Sequence, residues 1–309
     1  EANIPNWLPK KPLVFQILVE LNRNDLTRIL SKEFTQYTFW SSFISAVCKR
    51  ESVGVKDTIS PDTILRILEE LATKTRFSKS NEFLGRLSPS DIDIVYKKVV
   101  GSVPDENGRQ LLSRMCMLGR IDPSSPDRQF VDASVLDILR AHSFIRCIVN
   151  MWDIGNEQWV HSLRDLGLIH AANMINYHDL IQQCLVFIEK FISTKNTRSL
   201  GELISILSLL EIDIDIKLLT LNNSCIPILN LTKSKFSNLT IQDSEIGLLL
   251  LDNTPVTDEN NLIINSCIIS RATGITNEKG FPSWVKDCDT ISFDMVNNAT
   301  LIKESPLTD

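Results

Sequence analysis

Seven cysteines and four histidines are the residues best suited to nucleophilic or metal chemistry in this 309-residue chain, and their spacing favours neither. The cysteines, at 48, 116, 147, 184, 225, 267 and 288, never form Cys-x-x-Cys, and none of His142, His161, His170 and His178 has a metal-type partner at i+4, so no metal ligands are assigned. A Cys–His or Ser–His pair can still be assembled by folding, because such partners need not be neighbours in sequence, but no spacing selects one. No Gly-x-x-x-x-Gly-Lys-Ser/Thr phosphate loop is present, and the eleven glycines never fall into Gly-x-Gly-x-x-Gly. The acid pairs Asp91/Asp93 and Asp213/Asp215 sit at helix-start and strand spacing, where capping or solvation accounts for them. Trp152 and Trp159 read as core residues. The chain itself is therefore expected to be non-catalytic.

Composition frames what must hold such residues. With 43% apolar residues and a mean hydropathy near zero, the chain can bury a full core, and its length suggests about two domains. No run approaches the roughly 20 apolar residues of a membrane span. With no leader ahead of Glu1 and an odd, scattered set of cysteines, it reads as a cytoplasmic protein with reduced thiols and as the later part of a longer polypeptide. Charge is uneven. Residues 1–150 carry 21 basic and 18 acidic side chains, and residues 151–309 carry 11 and 20. That acidic second half argues against phosphate-backbone binding there. The sequons at Asn222, Asn230, Asn238 and Asn298 read as turn residues.

Helices dominate the first two thirds. Pro12 is placed to open a helix over 13–21, and Phe39, Phe43, Ile44 and Val47 form one face of a second. Ser60-Pro61 and Ser88-Pro89 each pair a cap with proline at the first helical position, and another helix starts near Asp105. Residues 119–132 then read as two short strands around a proline turn, followed by a helix bearing Val135, Leu136, Leu139, Phe144 and Ile148. Helices followed by a hairpin describe a winged helix. Its modest basic charge (Arg109, Arg114) favours a structural role over nucleic-acid reading. Helices over 159–166, 168–174, 177–191 and 200–210 follow, the last opened by a capping box from Ser199 to Glu202, and that last helix is expected to cover the open end of what comes next.

From 219 to 256 the chain repeats every five residues. Leu221, Ile226, Leu231, Phe236, Ile241, Ile246, Leu251 and Val256 share one register, with Leu219, Ser224, Leu229, Ser234, Leu239, Ser244, Leu249 and Thr254 two positions ahead. Residues two apart in a strand face the same way, so each unit sends two side chains inward and the units must stack to bury them. Ile228 and Leu248, twenty residues apart, would then stack on one outer edge, as a docking stripe or as contact with the helices. Asn265-Ser-Cys-Ile268 repeats Asn223-Ser-Cys-Ile226 letter for letter, suggesting that the repeat resumes there.

Several segments carry a resemblance. Ile4-Pro-Asn-Trp-Leu-Pro-Lys-Lys-Pro-Leu13, the helix ending Cys48-Lys-Arg-Glu51, Gly85-Arg-Leu-Ser-Pro-Ser-Asp91, residues 105–118, Leu118-Gly-Arg-Ile-Asp-Pro-Ser-Ser-Pro-Asp-Arg-Gln-Phe-Val-Asp132 and Leu136-Asp-Ile-Leu-Arg-Ala141 resemble, in order, the region that follows the ATPase core in bacterial NACHT-type STAND NTPases. The tail is similar to pentapeptide-repeat proteins, with Leu in place of the usual small residue at every second unit.

The resemblance implies an α+β chain. A helical arm at 1–50 follows an absent ATPase core, a winged helix occupies 51–150 and a helical stack 151–216, and a short right-handed pentapeptide-like β-solenoid with an irregular cap fills 217–309. It implies the regulatory and sensor portion of a switch in prokaryotic antiviral defence, with ATP/ADP and Mg held by the core. Partners would be that ATPase core, an effector domain and a viral protein ligand, and activation would form an oligomer. Pro12, or else Pro9, would be the one nucleotide contact carried over. The other reading is a non-catalytic acidic repeat scaffold or DNA-mimicking module.

Overall fold

The computed structural model describes residues 35–55, 58–78, 83–152, 154, 159–232, 235–251, 262–274 and 281–294. The chain divides into two compact units, one ending at Ser143 and the other beginning at Phe144.

In the first unit, helix α1 (Gln36–Gly54) is capped by Thr35, whose hydroxyl accepts from Thr38 N, and buries Phe39, Trp40, Phe43, Ile44 and Val47 on one side. Helix α2 (Pro61–Lys74) starts from Ser60, with proline in its first turn supplying a preset φ. Strand β1 (Arg86–Leu87) leads into α3 (Pro89–Val100). There the capping box is complete: Ser88 Oγ accepts from Asp91 N at 3.2 Å, and Asp91 Oδ2 accepts from Ser88 N at 3.0 Å. Helix α4 (Glu106–Arg114) is capped by Asp105. Strands β2 (Leu118–Arg120) and β3 (Arg128–Phe130) follow, and β3 lies between β1 and β2 in an antiparallel sheet of order β1-β3-β2. Helix α5 (Ala133–Val149) is opened by Asp132, whose Oδ1 accepts from Ser134 N at 2.7 Å; the boundary between the units falls inside it.

The second unit continues with α6 (Asp165–Tyr177), α7 (Ile181–Thr194) and α8 (Thr197–Ser208). Residues 159–164, expected as helix, are not helical, and the helix expected over 177–191 is interrupted after Tyr177, where Asp179 takes φ +52°. The cap of α8 is Asn196, whose side chain accepts from Ser199 N at 3.1 Å. Glu202 Oε1 accepts from Leu163 N at 2.7 Å.

Eight strands follow: β4 (Asp213–Asn222), β5 (Cys225–Asn230), β6 (Lys235–Gln242), β7 (Glu245–Leu250), β8 (Ile263–Asn265), β9 (Ile268–Thr273), β10 (Val285–Lys286) and β11 (Asp289–Asp294). They alternate between two parallel sheets of order β10-β8-β6-β4 and β11-β9-β7-β5. The expected α+β class and its pentapeptide-like β-solenoid are thereby overturned. With eight helices and parallel-stranded sheets among the described residues, the class is α/β, and the sheets are flat rather than the four short faces of a quadrilateral coil.

The inward positions were readable all the same. Leu221, Ile226, Leu229, Phe236, Leu239, Ile241, Ile246 and Leu249 are all at most 1% exposed. What differs is where the chain turns. Left-handed residues at Asn223 and Asp243 join the strands of one sheet to those of the other, and a third, Asn238, lies within β6 beside a register shift against β4, while Ile226 and Leu229 share β5, and Ile246 and Leu249 share β7. Large Leu, Ile and Phe side chains fill the first inward position of every unit from Leu221 to Leu251, and Leu fills the second in every other unit, which suits a broad, flat layer.

Candidate functional site

Two regions concentrate polar groups inside the fold. In the first unit a charged seam lies where α2 meets α5. Glu69, Arg76, Asp137 and Arg140 are each at most 5% exposed. Arg140 donates from Nε and Nη2 to Thr75 Oγ1, at 3.2 and 2.7 Å, and from Nε to Ala72 O at 3.4 Å; Thr75 in turn donates to Ala72 O at 2.6 Å. Glu69 Oε1 stands 3.6 Å from His142 Nδ1, and Thr73 Oγ1 donates to Ser143 Oγ at 2.7 Å. Gly85, at φ +69°, lies against Thr75 so closely that a Cβ there would come within 2.6 Å of its methyl. Burying charge is costly unless each group is matched, so a seam of this kind fixes how two helices register. One helix-to-helix tie supports it from outside. Lys74 Nζ sits 3.5 Å from Asp91 Oδ1; burial pushes that carboxyl up, but hydrogen bonds from Ser88 and the Lys74 charge outweigh it and hold the pKa below the usual carboxylate range.

The hairpin beside this seam is balanced in charge. Arg86 Nε holds Asp127 Oδ2 at 2.6 Å, Arg120 and Arg128 face each other across β2 and β3, and Arg128 Nη2 reaches Ser113 O at 3.5 Å. Asp105, Glu106, Asp122 and Asp127 match Arg109, Arg114, Arg120 and Arg128 in number over α4 and the hairpin.

In the second unit, α8 lies along β5, the edge of its sheet. Ser205 Oγ accepts from Ile228 N at 3.1 Å, and Ser208 Oγ accepts from Asn230 N at 3.0 Å. Two side chains thus take up backbone donors that an uncovered edge would leave for another strand. Gly201 permits the approach, since a Cβ there would stand 2.4 Å from Cys225 O.

Ile228 and Leu248 are register partners on β5 and β7. Ile228, 6% exposed, belongs to the strand that α8 covers, and Leu248 is half-buried. Pro9 and Pro12 lie outside the described residues. Trp159 is buried, with the Arg198 guanidinium 5.4 Å from its ring centroid, whereas Trp152, read from sequence as core, is 44% exposed. The two identical tetrapeptides are one residue out of step. Ile226 stacks through Ile246 onto Ile269, so Ile268 faces outward at 50% exposure while Ile226 is fully buried.

None of the cysteines is paired in a disulfide. Burial pushes the thiols of Cys116 and Cys184 up to about 12 and that of Cys267 up to about 11, and raises Cys48 and Cys225 as well, the reverse of what a thiolate nucleophile needs. Among the described residues no three His, Cys, Asp or Glu side chains gather as a metal site, and no helix is long and apolar enough to cross a membrane. The α8 serines and the Arg140–Thr75 contact were not singled out from sequence. A polar pair, Ser205 and Ser208, in the otherwise apolar second half of α8 (203–208) was the available signal.

No family model matches this chain, and no curated protein matches it significantly.

Proposed function

We propose that this chain is the regulatory portion of a NACHT-type STAND ATPase of prokaryotic antiviral defence, relaying recognition of a viral protein to nucleotide exchange and oligomerisation of an ATPase core. The observation that supports this reading is the order α2, β1, α3, α4, β2, turn, β3, with β1-β3-β2 pairing, which is the layout of a winged helix. The segments that resemble the family, 85–91, 105–118 and 118–132, are the ones that supply β1, α4 and the hairpin. A polar seam of Arg140, Thr75, Glu69 and His142 suits an element that must move as one piece, because charged contacts inside it penalise slippage between its helices. The second unit, with its broad parallel sheets, is the recognition part. Its ligand acts by binding the open state more tightly than the closed one. ATP or ADP with Mg is held by the core, with Pro12 or Pro9 as this chain's contact, and the effector domain is the output partner.

The test is to compare adenine-nucleotide turnover by residues 1–309 with turnover by the natural polypeptide that carries them. Turnover by the longer chain alone supports the proposal. Turnover by residues 1–309, or by neither, rejects it.

A further inference from the structure

The corners that join the two parallel sheets stack four high. Asn223, Asp243, Ser266 and Asp287 occupy them with φ of 51°, 48°, 53° and 49°. The next residue at each corner is Ser224, Ser244, Cys267 or Cys288, so one column of the fold holds two hydroxyls and then two thiols on neighbouring turns of the chain. The column has a repeating bond. Ser224 N donates to Ser244 Oγ at 3.1 Å, and Cys267 N donates to Cys288 Sγ at 3.4 Å. On both sides the strands are in register, Lys286 with Asn265 and Asp289 with Ile268, which sets the Cα atoms of Cys267 and Cys288 about 4.8 Å apart, inside the range a disulfide spans. Cys288 Sγ leans toward the turn that carries Cys267, lying 3.9 Å from Ile264 O and 3.1 Å from its own Lys286 O. Cys267 Sγ rests on Asn265 O at 3.2 Å and Ile241 O at 3.6 Å, on the side of the preceding turn, so a bond to Cys288 requires its side chain to change rotamer. Serine serves the same corner in the first two turns, so the fold does not itself demand sulfur there.

We propose that Cys267 and Cys288 form a dithiol modification site that a low-molecular-weight disulfide of the glutathione class oxidises to a bond between the last two turns of the sheets. Cys288 is the partly exposed partner and reacts first; Cys267 is 1% exposed. The Cys288 thiolate attacks one sulfur of the reagent, whose S–S bond breaks, and one thiol leaves. Cys267, losing its proton to solvent, then attacks Cys288 Sγ and expels the second thiol. Two S–H bonds are lost and one S–S bond forms, and the two electrons reduce the reagent to two thiols. Burial holds Cys267 mostly protonated near neutrality, so the second step accelerates as pH rises toward about 11. The bond ties β10 and β11 to β8 and β9, and is independent of the function proposed above.

The experiment is to incubate the folded full chain with oxidised glutathione and follow intact mass, peptide maps and amide exchange. The expected result is loss of two hydrogens, a single cross-linked peptide joining Cys267 to Cys288, and amide exchange over 285–294 slowed about tenfold or more. Cys267→Ser should stop at a glutathione adduct on Cys288, and Cys288→Ser should leave Cys267 unmodified. Both variants place at the corner the residue already found at 224 and 244, and circular dichroism checks their fold. A lasting glutathione adduct on Cys288 of the unaltered chain, a bond to any other cysteine, or no reaction overturns the proposal.

Discussion

Replacing Gly201 by alanine should destabilise the second unit, against what helix propensity alone leads one to expect. In an exposed helix interior, Gly→Ala gains about 1 kcal/mol. Here the new Cβ would stand 2.4 Å from Cys225 O and 2.9 Å from the carbon behind it, about 1 Å short of ordinary contact, and both are backbone atoms of a paired strand. Helix α8 must therefore retreat from β5. A retreat of that size takes the 3.1 Å Ser205–Ile228 and 3.0 Å Ser208–Asn230 hydrogen bonds out of range and leaves two buried N–H groups unmatched. Each orphaned donor costs roughly 1–3 kcal/mol, so after the propensity gain the net loss is about 3 kcal/mol. Urea unfolding should show that loss, and amide exchange should show it falling first on Ile228 and Asn230. Ser205→Ala combined with Gly201→Ala should cost less than the two changes apart, because both break the same contact. An alanine variant as stable as the parent, with those two amides still protected, would refute the close approach of helix and edge strand.

Further outcomes follow from other sites. Gly274→Ala should cost more than an ordinary loop change, since φ is +82° and a Cβ would collide with Leu251 O; expression yield and thermal melting read it out. Asp91 has a folded pKa held below its unfolded value, so its contribution is present above the unfolded pKa and is lost as pH falls through the folded one. Acid unfolding of the first unit should therefore shift to lower stability below about pH 4, and Asp91→Asn should flatten that dependence in pH-resolved melts. Phe187→Ala, which empties a site buried against Phe191, should cost about 3–5 kcal/mol in denaturant titration.

Local signals were the legible ones. Ser60, Ser88 and Asp105 cap helices as their sequences indicate, because the capping hydrogen bond closes within three residues. Strand β1 was invisible, for it is two residues long and exists through pairing of Arg86 with Gln129 and Leu87 with Arg128, partners some forty residues away. Ser199 looked like a cap because Glu202 stands three residues on, yet Asn196 competes from one turn earlier and Leu163 N claims the glutamate. The five-residue period marked Leu221, Ile226, Leu229, Phe236, Leu239, Ile241, Ile246 and Leu249 as inward and all are buried, but Leu231 of the same register is half-buried, Asn230 outside it is buried, and a period does not say at which units the chain turns. That depends on whether the buried layer is narrow or broad, and bulky Leu, Ile and Phe made it broad. The tetrapeptide repeat misled for a related reason: the register runs from Ile246 to Ile269, and identity of letters does not include the offset of one. Spacing shows Ser205 and Ser208 as a polar pair one turn apart, but that they cover an edge strand, like the polar seam, depends on long-range placement.

The central claim is that this chain belongs to a nucleotide-controlled switch, and sedimentation tests it most directly. The natural polypeptide carrying residues 1–309 should sediment as a monomer with ADP and as a larger assembly with a non-hydrolysable ATP analogue plus lysate from virus-infected cells. A single sedimentation coefficient under both conditions, with neither nucleotide bound, would contradict the account.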